Sequence, residues 1–124
     1  MKTIHTDLAP AAIGPYSQAV EAGGLLWCSG QVAIDPATKK LVEGDITVQT
    51  RQALENLKAV AAAAGLKLNN AVRCGVFLTS FADFGAMNAV YEQYFPGKPA
   101  RTTVEVSQLP LGAKVEIDCV LVKV

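Results

Sequence analysis

Arg101, in Pro99-Ala100-Arg101-Thr102-Thr103-Val104, pairs a permanent charge with a planar fork of N–H donors that matches a carboxylate at two points. It stands at the mouth of a predicted strand, and Glu116 lies on the strand expected to follow. A fixed cation, a carboxylate and a rigid platform are what it takes to bind a small organic acid and activate water beside it. The competing reading is a surface ion pair between neighbouring strands, worth about 0–1 kcal/mol. Two other segments could contribute. Gly14-Pro15-Tyr16-Ser17-Gln18 is a loop closing into a strand, stiffened by Pro15, with the Tyr16 phenol at its end. Ser29-Gly30-Gln31 breaks an apolar strand. A glycine there marks either close approach by a ligand or a β-bulge with no ligand at all.

Other chemistries drop out. His5, near the N-terminus, is the only histidine, which argues against a Ser–His–Asp triad or a multi-histidine metal centre. Gly23-Gly24 lacks the strand–turn–helix setting of a phosphate loop. Cys28, Cys74 and Cys119 are odd in number and widely spaced, a pattern that suits a reducing cytosol. Strand alternation turns Cys28 away from Ser29, and a buried thiol has a raised pKa and little reactivity. The 11 basic residues balance the 11 acidic ones, so no basic footprint for nucleic acid is visible. The N-terminal segment lacks a signal peptide's apolar core, and no stretch is long enough to cross a bilayer. A cytoplasmic protein with no membrane association is the expectation.

The elements that must position these residues form one α+β domain over residues 1–124. Strand signals cover Ile4-His5, Gln18 to Ala22, Leu25 to Ile34, Ala71 to Thr79, Thr102 to Gln108 and Lys114 to Lys123. Gly23-Gly24 predicts a hairpin, and Leu109-Pro110-Leu111-Gly112 is expected to turn the last two strands. A helix should start at the N-cap Asp45 and stop at Gly65, with Ile46, Ala53, Leu54, Leu57 and Val60 inward and Gln49, Arg51, Gln52, Glu55 and Lys58 outward. A second should start near Asp83 and end at Pro96-Gly97, its Phe84, Met87, Val90, Tyr91, Tyr94 and Phe95 forming a core stripe rather than a cofactor box. The order fits a mixed sheet with both helices on one face. Several strands are apolar on both faces, which predicts that partner subunits cover the side without helices.

Taken in order, Ala9-Pro10-Ala11-Ala12-Ile13-Gly14-Pro15-Tyr16-Ser17-Gln18-Ala19, Ser29-Gly30-Gln31, Pro99-Ala100-Arg101, Leu109-Pro110 and Val115-Glu116-Ile117 resemble the Rid (YjgF-like) family, its RidA branch above all. The resemblance spans essentially the whole chain. It implies a chorismate-mutase-like fold and a homotrimer with clefts between adjacent subunits. The implied activity is hydrolysis of 2-iminobutanoate and 2-iminopropanoate to 2-ketoacids and ammonia, which protects pyridoxal-phosphate enzymes and needs neither metal nor organic cofactor. By the same resemblance Arg101 is the carboxylate-binding arginine, Glu116 the water-handling glutamate and Tyr16 the cleft tyrosine. Ser29 and Gly30 take the place of the family's Ser-Gly pair. Thr103 stands where many relatives carry cysteine, which is harmless if that position offers its backbone N–H. The alternative is a non-catalytic trimer of the same family that binds small carboxylates or acts as a chaperone. Burial should raise the pKa of Glu116 and Arg101 should oppose it; the sequence leaves that balance open.

Overall fold

The computed structural model describes residues 1–124. Strands β1 (Lys2–Ile4), β2 (Ala19–Ala22) and β3 (Leu25–Gln31) come first, followed by a short ribbon of β4 (Ile34–Asp35) and β5 (Lys40–Leu41). Helix α1 (Ile46–Ala63), β6 (Ala71–Leu78), α2 (Phe84–Tyr94), β7 (Ala100–Glu105) and β8 (Val115–Val122) complete the chain. The main sheet has the order β1-β2-β3-β8-β6-β7, and both helices lie on one face, as expected. Gly23 and Gly24, with φ of 63° and 77°, make the tight β2–β3 turn that only residues tolerant of positive φ allow. No helix is long and apolar enough to cross a membrane.

The final turn differs from expectation. β8 does not pair with β7; it inserts between β3 and β6, antiparallel to both, while β7 runs parallel to β6 at the sheet edge. The physical reason lies in the strands themselves. β8 is apolar enough on both faces to occupy the middle of a sheet, whereas Arg101, Thr102, Thr103 and Glu105 make β7 a polar strand suited to an edge. The crossover through α2 then sets β7 parallel to β6. Pairing starts at Arg73 opposite Ala100, so Arg101 sits inside its strand rather than before it.

On β8, Val115, Ile117, Cys119 and Leu121 are buried beneath the helices, while Glu116, Asp118, Val120 and Val122 stand half-buried on the opposite, open face. Trp27 and Val104 are exposed, and strand alternation puts both on that open face. The core joins the helix face of the sheet to Leu54, Leu57 and Val60 of α1 and Met87, Val90 and Tyr91 of α2.

α1 starts at Asp45, whose carboxylate accepts the Val48 N–H at 3.1 Å, as its N-cap position predicts. Gln49, expected outward, is buried. Its Oε1 accepts the Lys114 N–H at 2.8 Å, a long-range backbone partner that helical periodicity cannot reveal. Asn56, also buried, donates to the carbonyls of Val32 and Ile34, fastening α1 to the chain that leaves β3. The three thiols are free and buried. They stand in one row across the sheet, Cys28 opposite Cys119 and Cys119 opposite Cys74. Burial pushes the Cys74 thiol up to about 11, so it is a packing group, not a nucleophile.

Candidate functional site

Arg101 is held on the helix face. It sits in register with Cys74, which is buried under the helices, and parallel partners point to the same side of a sheet. The guanidinium donates to Asn88 Oδ1 at 2.8 Å and stacks on the Tyr91 ring, 4.7 Å from its centroid, with Phe84 at 5.7 Å. Two aromatic faces and one amide oxygen fix its plane, and one Arg101 nitrogen is committed to Asn88. Part of the aromatic stripe on α2 is therefore a seat for the cation and not only core, a correction to the sequence reading. Asn88, which the sequence reading leaves unnamed, lies three residues before Tyr91 on α2, a spacing that any amphipathic helix shows. Arg101, Asn88, Tyr91, Phe95 and Pro99 line a shallow cavity of about 350 Å³.

Thr103 shares this side of β7. Val106 donates its N–H to Leu78 across the β6–β7 pair at 2.8 Å. Alternation along the strand therefore turns the amides of Arg101 and Thr103 toward the unpaired outer edge. The Thr103 hydroxyl is buried without a partner. The outward donor at this position is the backbone N–H, which does not depend on whether the side chain is Thr or Cys.

Glu116 lies elsewhere. It is on the open face opposite Phe77, in a cavity of about 540 Å³ that Tyr16, Ser29 and Gly30 also line. Pairing of β3 with β8 shifts register between Cys28 and Gln31, so Ser29-Gly30 forms the bulge that was one of its two readings. What approaches the bulge is a side chain of the same protomer: a Cβ on Gly30 would stand 2.6 Å from Glu116 Oε2. Only glycine leaves room for the carboxylate over the bulge. The Ser29 hydroxyl donates to the Ser17 carbonyl at 2.6 Å, which commits its proton to fastening the Tyr16 loop. Gln18, buried beneath the same loop, accepts the Thr6 N–H and donates to the carbonyls of Thr6 and Pro10. Tyr16 is exposed, and its phenol oxygen accepts the Ile13 N–H at 3.4 Å.

Burial raises the Glu116 carboxyl above its usual range, and the like charge of Asp118 on the same face adds to the rise. Within one protomer no opposing effect of Arg101 reaches Glu116. The topology explains why. The two residues are separated by β6, three positions along the strands, and by the sheet itself. Standard strand spacings put their backbones about 14 Å apart, with side chains on opposite faces. Within one protomer the surface ion pair of the competing reading is absent. The cavities around Arg101 and around Glu116 have no residue in common. His5 lines neither of them, and its ring nitrogen meets Asp7 at 3.0 Å.

Comparison with known proteins places the chain. The sequence pattern of the family described as Endoribonuclease L-PSP matches residues 6–123. Protein DfrA of Myxococcus xanthus is 55% identical over 124 residues, covering 98% of this chain and 95% of its own length. The 2-iminobutanoate/2-iminopropanoate deaminase of Salmonella typhimurium is 46% identical over 126 residues, with 98% of each chain covered. The crystal structure of E. coli TdcF with bound serine superposes with a TM-score of 0.94 at 39% identity, covering all of both chains. In sequence and in fold alike, this chain belongs to the Endoribonuclease L-PSP (YjgF/Rid) family.

Proposed function

We propose that the protein hydrolyses 2-iminoacids such as 2-iminobutanoate and 2-iminopropanoate to 2-ketoacids and ammonia, in clefts between the subunits of a cyclic homotrimer. The observation that carries this reading is the placement of Arg101 and Glu116 on opposite faces of one sheet. An iminoacid presents its electrophilic carbon one bond from its carboxylate, so one protomer cannot serve both ends. A neighbour that covers the open face, where Trp27, Val104, Val120 and Val122 are incompletely buried, brings the Arg101 edge of one chain to the Glu116 cavity of the next. The two half-sites then face one substrate.

In that cleft Arg101, with one nitrogen on Asn88 and its plane held by Tyr91, grips the carboxylate with its remaining donors. The outward amide of Thr103 supplies another N–H. Water adjacent to Glu116 gives its proton to the carboxylate as its oxygen bonds to the imine carbon. The product of that step is a carbinolamine. With the imine nitrogen protonated at the outset, Glu116 then returns the proton to nitrogen. The C–N bond breaks as Glu116 takes up the hydroxyl proton, and ammonia leaves with the ketoacid carbonyl formed, carrying that proton away as ammonium. A carboxylate with a raised pKa suits this two-way transfer, since it must be both base and acid. Tyr16, tied to the same loop as Ser29, orients the water. General acid–base help contributes about 10²–10⁴ in rate and positioning contributes further. None of these steps calls on a metal or an organic cofactor.

The test is ketoacid and ammonia release from enamines that a threonine dehydratase generates in situ, with and without the protein. Faster release supports the reading; release at the spontaneous rate sinks it. Ketoacid binding without acceleration would instead favour the non-catalytic carboxylate-binding trimer. An RNA-cleaving role, which the family's description suggests, finds no support in a chain of balanced charge whose one histidine lies outside both cavities.

A further inference from the structure

A cavity of about 540 Å³ opens on the outer side of the helix layer, between the last turns of α1, the chain that follows it and the end of α2. It shares no residue with the cavities around Arg101 and Glu116. Its volume is one at which small ligands are ordinarily held. The lining is unbalanced in charge. Lys58 and Lys67 are its only charged residues, and the two ion pairs of the protein, His5–Asp7 and Glu21–Lys123, involve neither. Glu55, on the same seam between the helices, is committed to the Tyr94 hydroxyl, which donates to it at 2.7 Å. Arg51 acts on that hydroxyl with the opposite charge. Arg51 also donates to Gln93 Oε1 at 3.3 Å, so the end of Gln93 left free is its NH₂ group. The carbonyls of Ala61 and Ala62 at the end of α1 accept the N–H groups of Ala64, Gly65 and Leu66, which mutes the negative pole of the helix. Beside these donors, the Tyr94 ring and Leu66 form an apolar wall.

We propose that this cavity binds a small phosphomonoester, with its phosphate between Lys58 and Lys67 and its ring or apolar body against Tyr94 and Leu66. A phosphate dianion answers both ammonium groups at once and offers several acceptor oxygens to a lining rich in donors. A carboxylate carries a single charge and leaves one lysine without a partner. The site is separate from the imine cleft, since none of its residues touches Arg101 or Glu116, and it stands or falls apart from the proposed deamination.

The experiment titrates phenyl phosphate into the full isotope-labelled chain and follows the backbone amide resonances, with inorganic phosphate and benzoate as comparison ligands. Saturable shifts should centre on Gly65, Lys67, Asn69 and Tyr94. Phenyl phosphate should bind about tenfold more tightly than either comparison ligand. The double variant Lys58→Gln, Lys67→Gln should weaken it about tenfold or more, the scale of losing a charge-assisted hydrogen bond. Both lysines are exposed, so the melting temperature should stay that of the parent. Ala62→Leu, a change to another strong helix former at an exposed position, fills the space and should abolish binding. The proposal is overturned by an absence of saturable shifts up to about 10 mM ligand, by shifts centred on Arg101 instead, or by binding that survives the double variant. Benzoate binding as tightly as phenyl phosphate overturns the phosphate assignment. Inorganic phosphate binding equally well overturns the role of the Tyr94 and Leu66 wall.

Discussion

Arg101 and Glu116 lie about 14 Å apart at the backbone and on opposite sides of a sheet, and this separation yields a quantitative test. Arg101→Ala and Glu116→Gln should each abolish deamination as pure proteins, since each removes one half of every site. Co-assembly of the two should restore it. In a cyclic trimer with head-to-tail interfaces, each site takes Arg101 from one chain and Glu116 from the next. With equal amounts of both variants and random assembly, the first chain carries an intact Arg101 in one case of two. The next carries an intact Glu116 in one case of two. About a quarter of the sites are therefore whole, and activity should return to about 25% of the parent. The assay is ketoacid release by hybrids made by co-expression with two affinity tags, their composition checked by native mass spectrometry. If hybrids form and remain as inactive as the pure variants, both residues do not serve one composite site, and the interfacial mechanism is wrong.

Other perturbations bear on the same site. Asn88→Ala removes a charge-assisted hydrogen bond, worth about 1.5–3 kcal/mol, that aligns Arg101; KM should rise about tenfold or more with a smaller effect on kcat, measured by steady-state kinetics. Gly30→Ala places a methyl group 2.6 Å from Glu116 Oε2, so the carboxylate must move and turnover should fall steeply while circular dichroism and oligomer size stay those of the parent. Because the Glu116 pKa is raised by burial and by Asp118, kcat/KM should be lost as pH falls through a value above the ordinary carboxylate range, and Asp118→Asn should move that acid limb to lower pH. An upward shift also means that the folded state disfavours the ionised form. The penalty is nil below the unfolded pKa and complete above the folded one. Glu116→Gln should therefore melt no lower than the parent at pH 8, and a clear loss of melting temperature there would contradict the cause assigned to the shift.

Much of this protein is legible in its residues alone. Asp45 and Gly65 bracket α1 because capping and helix termination are local chemistry, and paired glycines specify the β2–β3 turn for the same reason. The break at Ser29-Gly30 is visible too, because a glycine inside an apolar strand stands out. Burial of the cysteines follows from alternation, which acts over neighbouring residues. The ordered motifs carried the family resemblance, which full-length comparison now establishes.

Only the tertiary structure decided how those pieces meet. The insertion of β8 between β3 and β6 is a contest among strands far apart in the chain. The more apolar strand takes the centre, and the polar one is left at the edge. That single outcome separated Glu116 from Arg101 and set the two on opposite faces of the sheet. It also gave Arg101 its seat on Asn88 and Tyr91, and gave Gln49 a backbone partner 65 residues away. Local propensities act within a few residues, whereas strand order and side-chain partners depend on the free energy of burying the whole sheet at once.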